Sequence, residues 1–204
     1  MITIIDYGIG NIGAFQNVFT RLNIPSRVAK NKSDLENVSK IILPGVGSFD
    51  YAINQLNFSG MRDRLDKLVL MEKTPVLGIC VGMQMMGRKS QEGSLKGLNW
   101  IDGEVLKFDE SLINHRVKLP HMGWNEADPI KKNKLFEGLN KNLIFYFLHS
   151  FYFKCREENN TIAISNYGIS FSSAISYQNI YGIQFHPEKS HSNGEKLLKN
   201  FALI

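Results

Sequence analysis

The hydrophobic pattern of this chain changes character near its middle. Ile2–Ile5 is a short continuous apolar run, the signature of a strand covered on both faces. The turn Asp6-Tyr7-Gly8-Ile9-Gly10-Asn11 follows. Ile12, Phe15, Val18, Phe19 and Leu22 then fall on one face of a helix predicted over residues 12–22. Residues 26–29 and 41–43 are further strand candidates, and Ser33 with Glu36 predicts a capping box on a short helix. Pro44-Gly45-Val46-Gly47 cannot continue regular structure. Helices are predicted over residues 49–56 and 61–71, a fourth strand over 75–79, and another helix from 81 to 87. Such strand–helix alternation predicts a parallel sheet with helices on both faces.

The second half lacks that alternation. Residues 103–108, 143–153, 161–165, 170–177 and 180–185 all have strand character with few helices between them, and a helix over 193–201 closes the chain. The expectation is one α/β domain over residues 1–204: a three-layer sandwich whose mostly parallel central sheet gains antiparallel strands late.

Composition narrows the function classes. With 204 residues, 43% hydrophobic and 21% charged, the chain fits a globular domain with one sizeable core. No apolar run approaches the roughly 20 residues of a membrane span, and the N-terminus lacks the features of a signal peptide, so a cytoplasmic protein is expected. The net charge of +5 is not concentrated. Its densest cluster, Lys131-Lys132-Asn133-Lys134, has the form of a solvated loop, so no nucleic-acid partner is expected. Cys80 and Cys155 are expected as free thiols. The histidines (His115, His121, His149, His186, His191) are scattered and no cysteine joins them at zinc spacing, so neither a metal nor a cofactor is expected.

The most informative segment is Gly78-Ile79-Cys80-Val81-Gly82, a Gly-x-nucleophile-x-Gly turn between an apolar strand and a helix. A nucleophile on so sharp a turn needs neighbours with almost no side chain. The helix start favours a thiolate, and the Val81 N–H faces the place where an oxyanion would form. A catalytic cysteine needs a base that is distant in sequence. The best candidate is His186, where the apolar run Tyr181-Gly182-Ile183-Gln184-Phe185 stops at Pro187, with Glu188 in reach to orient the ring. His149 and His121 are rivals. His149 has Ser150 beside it but no nearby carboxylate, and a substrate or structural role suits it better.

Taken together, Asp6-Tyr7-Gly8-x-Gly10-Asn11, Pro44–Gly47, Gly78–Gln84, Glu92-Gly93, Pro120–Asn125, His149-Ser150 and Gln184–Ser190 resemble the class I (triad) glutamine amidotransferases. The resemblance is strongest to the glutaminase subunits of imidazole glycerol phosphate synthases. It spans nearly the whole chain. It implies that L-glutamine is hydrolysed by a Cys80–His186–Glu188 triad through a glutamyl thioester, and that the ammonia passes to a (β/α)₈-barrel cyclase subunit in a heterodimer of histidine biosynthesis. It also implies an oxyanion strand at Gly45, Val46 and Gly47, working with Val81. Gln84 and Glu92 would hold the two ends of glutamine, with His149 and Ser150 lining the pocket. Asn11, His121, Met122, Gly123, Trp124, Asn125 and Lys189 would face the partner. Residues 100–102 and 166–171 are closer to a side branch whose partner is a sugar amidotransferase of surface-polysaccharide synthesis. Two further readings are a free-standing hydrolase using the same turn, and a non-catalytic scaffold. The small-metabolite pair Gln84/Glu92 argues against the first, and the complete triad against the second.

Overall fold

The computed structural model describes residues 1–109, 111, 118–139 and 143–204. In chain order its elements are β1 (Ile2–Ile5), α1 (Ile12–Arg21), β2 (Ser26–Ala29), β3 (Lys40–Leu43), α2 (Phe49–Phe58), α3 (Arg62–Asp66), β4 (Val76–Ile79), α4 (Val81–Met85), β5 (Gly103–Lys107), β6 (His121–Glu126), β7 (Asp128–Pro129), β8 (Ile144–His149), β9 (Phe151–Cys155), β10 (Thr161–Tyr167), β11 (Ile169–Tyr177), β12 (Ile180–Ile183) and α5 (His191–Leu203).

The main sheet runs β2-β1-β3-β4-β12-β11-β10-β7, with β9 pairing β11 and β5 pairing β9. From β2 to β12 all neighbours are parallel; beyond β12 they are antiparallel. The fold is therefore α/β, with a mostly parallel centre and late antiparallel strands. From β1 the chain winds first to β2 and later outward through β3 to β4. Right-handed crossovers in opposite directions place α1 and α2 on opposite faces of the sheet. Phe15, Val18 and Phe19 of α1 and Phe49, Ala52, Ile53 and Leu56 of α2 are buried against it. Each such large side chain contributes roughly 1.5–3 kcal/mol on burial.

Three elements differ from the sequence-based expectation. The short helix after β2 starts two residues earlier: Asn31 caps it and Asp34, not Glu36, closes the box, because Asp34 Oδ2 reaches the Asn31 N–H at 3.2 Å. The helix predicted over 61–71 is α3 followed by a π turn over Lys67–Met71. The single strand predicted over 143–153 is two strands broken at Ser150. Here β9 joins the main sheet while β8 pairs with β6 in a separate two-stranded sheet. Only the polar pair His149-Ser150 interrupts the aromatic run, and so short an interruption does not say that its halves join different sheets.

The arrangement brings three strand ends together. In register, Leu43 of β3 lies beside Gly78 of β4, and Ile79 beside Ile183 of β12. The Cys80 N–H then donates to the Ile183 carbonyl at 2.8 Å, one step past both strands. Loops from residues 44, 80 and 184 onward thus leave the carboxyl edge of the sheet side by side, where α/β sheets bind ligands. No helix among the described residues is long and apolar enough to cross a membrane.

Candidate active site

Cys80 has φ 55° and ψ −114°, a backbone conformation that L-residues rarely adopt. Holding it costs about 1–3 kcal/mol, so the surroundings must enforce it. They do so through glycine. A Cβ on Gly82 would lie 2.0 Å from the Leu43 carbonyl oxygen, and one on Gly45 would lie 2.3 Å from the Gly82 nitrogen. The 44–47 loop and the first turn of α4 therefore meet backbone to backbone. The Pro44 carbonyl is pinned by the buried Tyr7 hydroxyl at 2.6 Å. Burial, with the Cys80 charge adding to it, pushes the Tyr7 phenol far above its ordinary range, so it remains a donor.

His186 and Glu188 come from the chain leaving β12. The His186 N–H donates to the Tyr146 carbonyl at 2.8 Å, and the Ser190 hydroxyl donates to the His186 carbonyl at 2.6 Å. His186 Nδ1 lies 2.9 Å from Glu188 Oε1, and both side chains are almost wholly enclosed. Cys80, which lines the same cleft, acts on the ring as well. Burial acts to lower the imidazole. Its interactions with Cys80 and Glu188 and the charges of both outweigh it and push the ring up to about 10. Glu188 Oε2 is buried with no hydrogen-bond partner among the described residues. A thiol/thiolate, an imidazole and a carboxylate in this series can perform nucleophilic acyl transfer.

A cleft of about 290 Å³ opens over Cys80, at the small end of ligand sites. Val46, Gly47, Val81, Gln84, Glu92, His149, Ser150, His186 and Lys189 all line it. Gln84 is buried, and its Nε2 donates both to the Phe151 carbonyl at 3.0 Å and to Gln184 Oε1 at 3.1 Å. Glu92 accepts the Phe49 N–H at 2.8 Å, which seats its carboxylate at the start of α2. Burial raises the Glu92 carboxyl, the Phe49 N–H opposes this, and nearby Asp50 adds to the rise. A Cβ on the following residue, Gly93, would lie 2.0 Å from an Asp50 carboxylate oxygen and displace that carboxylate, whose two oxygens accept from the Ser94 and Leu95 N–H groups.

The residues expected to face a partner divide. Met122 and Trp124 are 60% and 50% exposed, and Asn11 and Lys189 are exposed. Gly123 and Asn125 are half-buried. His121 corrects the expectation: it is only 2% exposed and turns inward from β6. It stacks on Tyr167 and Phe147, with centroids 3.9 and 4.7 Å away. It also joins a buried chain. His149 Nδ1 lies 2.8 Å from the Phe151 carbonyl, His149 Nε2 lies 3.0 Å from His121 Nδ1, and His121 Nε2 lies 3.2 Å from Asn125 Nδ2. The carbonyl can only accept and the amide nitrogen can only donate, so both rings are neutral with the proton on Nδ1. Burial pushes His121 down to about 4. Burial, then the neighbouring His121, pushes His149 down to about 3. Neither is suited to act as the base. Both cysteines are free and buried. His115 lies outside the described residues.

Sequence reasoning assigned no role to Gln184. The available signal was its place two residues before His186 on an extended segment, which puts both side chains on one side.

The model of the family described as glutamine amidotransferase class-I matches residues 3–204. The imidazole glycerol phosphate synthase subunit HisH of Bdellovibrio bacteriovorus is 52% identical over 204 residues, all of both chains, and that of Leptospira interrogans is 50% identical over the same span. A solved glutamine amidotransferase shares the fold at TM-score 0.76 and 17% identity, covering 100% of this chain and 99% of that one. With the glycine-braced cysteine turn and the enclosed His–Glu pair on the same sheet edge, these likenesses place the chain in the class-I glutamine amidotransferase family.

Proposed function

We propose that this chain is the glutaminase subunit of an imidazole glycerol phosphate synthase, hydrolysing L-glutamine and passing ammonia to a (β/α)₈-barrel cyclase subunit. The observation that carries the chemistry is Cys80 in its strained turn, sharing a cleft with a His186 that Glu188 holds at 2.9 Å. Cys80 Sγ attacks the side-chain carboxamide carbon, and His186 gives its proton to the departing ammonia, leaving a glutamyl thioester. Water then attacks as His186 takes its proton, the C–S bond breaks, and glutamate leaves. The Val81 N–H and one from the Gly45-Val46-Gly47 loop stabilise the oxyanion. Losing one such donor costs ~2.7–4 kcal/mol in comparable sites.

Glu92 suits the α-ammonium of glutamine. Gln84 has both amide hydrogens engaged by Phe151 and Gln184, which leaves only its oxygen to accept from a ligand. The partner assignment draws on the names of the full-length relatives and on the exposed Met122 and Trp124, with Asn11 and Lys189 also exposed. The sugar-amidotransferase alternative has no support from these relatives.

The test is glutamate release and imidazole glycerol phosphate formation by the chain mixed with a barrel cyclase. Wild type should be stimulated by the cyclase. Cys80→Ala should bind the cyclase yet release no glutamate above background, and near-wild-type release by that variant would refute the assignment.

A further inference from the structure

We propose that Gln184 is a further catalytic residue, whose side-chain N–H donates to the Cys80 sulfur and favours its thiolate. The inference rests on the reading of Cys80 as nucleophile. Gln184 is fully buried, and its Nε2 lies 3.7 Å from Cys80 Sγ, within reach of a long N–H···S bond.

The orientation of its amide follows from the neighbours. Gln84 Nε2 faces the Phe151 carbonyl, which can only accept, so that end of Gln84 must be the nitrogen. The same nitrogen faces Gln184, which must therefore present its oxygen to it. The Gln184 nitrogen is left facing the sulfur. One backbone carbonyl thus sets two amides in series and delivers a donor to the nucleophile.

A donor is needed there. α4 has only five residues, so its dipole is small. The Leu148 carbonyl, 3.8 Å from Sγ, accepts from the thiol and does nothing for the thiolate. His186 carries a proton to the sulfur but must release it to ammonia during the reaction. Gln184 has no such duty and stays a donor throughout.

The experiment is the pH profile of Cys80 alkylation by iodoacetamide in the full chain, alongside glutamine turnover with the cyclase. Gln184→Met keeps the volume and removes the donor. It should shift the profile up by about one pH unit, a tenfold lower thiolate fraction, the low end for a hydrogen bond to a charged group. Gln184→Glu, which turns a carboxylate oxygen toward the sulfur, should shift it at least as far. In both, kcat should fall while KM for glutamine stays within about twofold. A folded Gln184→Met with the wild-type profile would overturn the proposal. Should neither variant fold, wild type still decides. The ¹⁵N–¹H signals of the Gln184 amide should follow the titration of Cys80 and be flat in Cys80→Ala, and an amide indifferent to that titration rejects the idea. Wild type that does not hydrolyse glutamine sinks the parent reading instead.

Discussion

Acid should destabilise this fold well above the range where carboxylates titrate, through the buried His121–His149 pair. In the unfolded chain both rings take up a proton as pH falls through the ordinary 6.5; in the folded chain they stay neutral down to about 4 and about 3. Over that window the unfolded state binds more protons, so stability is present above 6.5 and lost as pH falls. Each ring contributes up to about 1.4 kcal/mol per pH unit, so going from pH 6.5 to 5 should remove roughly 3 kcal/mol. That is a large share of the 5–15 kcal/mol by which domains are stable. His186 does not offset the loss. Its folded value is raised to about 10, so its contribution is complete below 6.5 and lost only as pH rises toward 10.

The assay is urea unfolding at pH 6.5, 6.0, 5.5 and 5.0, read for the change in stability at constant m. His121→Phe keeps a ring in the stack with Tyr167 and Phe147 but removes one titrating group, so its slope should fall to about half. The ring C–H signals of both histidines should hold their shifts from pH 7 to 5. Rings that titrate near 6.5, or a stability curve flat to within about 1 kcal/mol, would refute the reasoning.

Gly82→Ala should lose about 1–3 kcal/mol or more in thermal unfolding and most glutamine turnover, because its Cβ meets backbone at Leu43 that cannot rotate away. Glu188→Gln should cut kcat tenfold or more, up to about 10⁴, and move the alkaline limb of the rate profile to lower pH, since one of the two groups that hold His186 up is gone. Trp124→Ala should weaken cyclase binding at least tenfold by titration calorimetry while leaving the stability of the isolated chain within about 0.5 kcal/mol, as befits an exposed indole.

What the sequence made legible follows from locality. The Ile2–Ile5 run, the α1 face and the cysteine turn each carry their whole signal within a few residues, and the structure has all three as expected. The pairing of β4 with β12, which sets residue 80 beside residue 183, could be inferred only because both runs are apolar and end in chemistry-bearing residues. The break at Ser150 was not legible. The run from 144 to 153 is interrupted only by His149-Ser150, and only tertiary pairing assigns its halves to different sheets. His121 was misjudged for a related reason. It sits among exposed residues in sequence, and the strand alternation that buries it shows only once β6 is known to be a strand.

That alternation gives β6 two duties. Met122 and Trp124 point to solvent, while His121, next to Met122 and out of phase with both, points to His149 on the cleft wall. A strand has no slack between adjacent residues, and β6 is held to β8 along its whole length by paired register from His121/His149 to Glu126/Ile144. On the proposed function, a partner that loads Met122 therefore loads the residue next to the one that anchors His149, and His149 begins the turn through Ser150 to the Phe151 carbonyl. That carbonyl orients Gln84, and through it Gln184 and the sulfur. The docking face and the nucleophile are thus joined by a short series of buried hydrogen bonds, each with only one permissible direction.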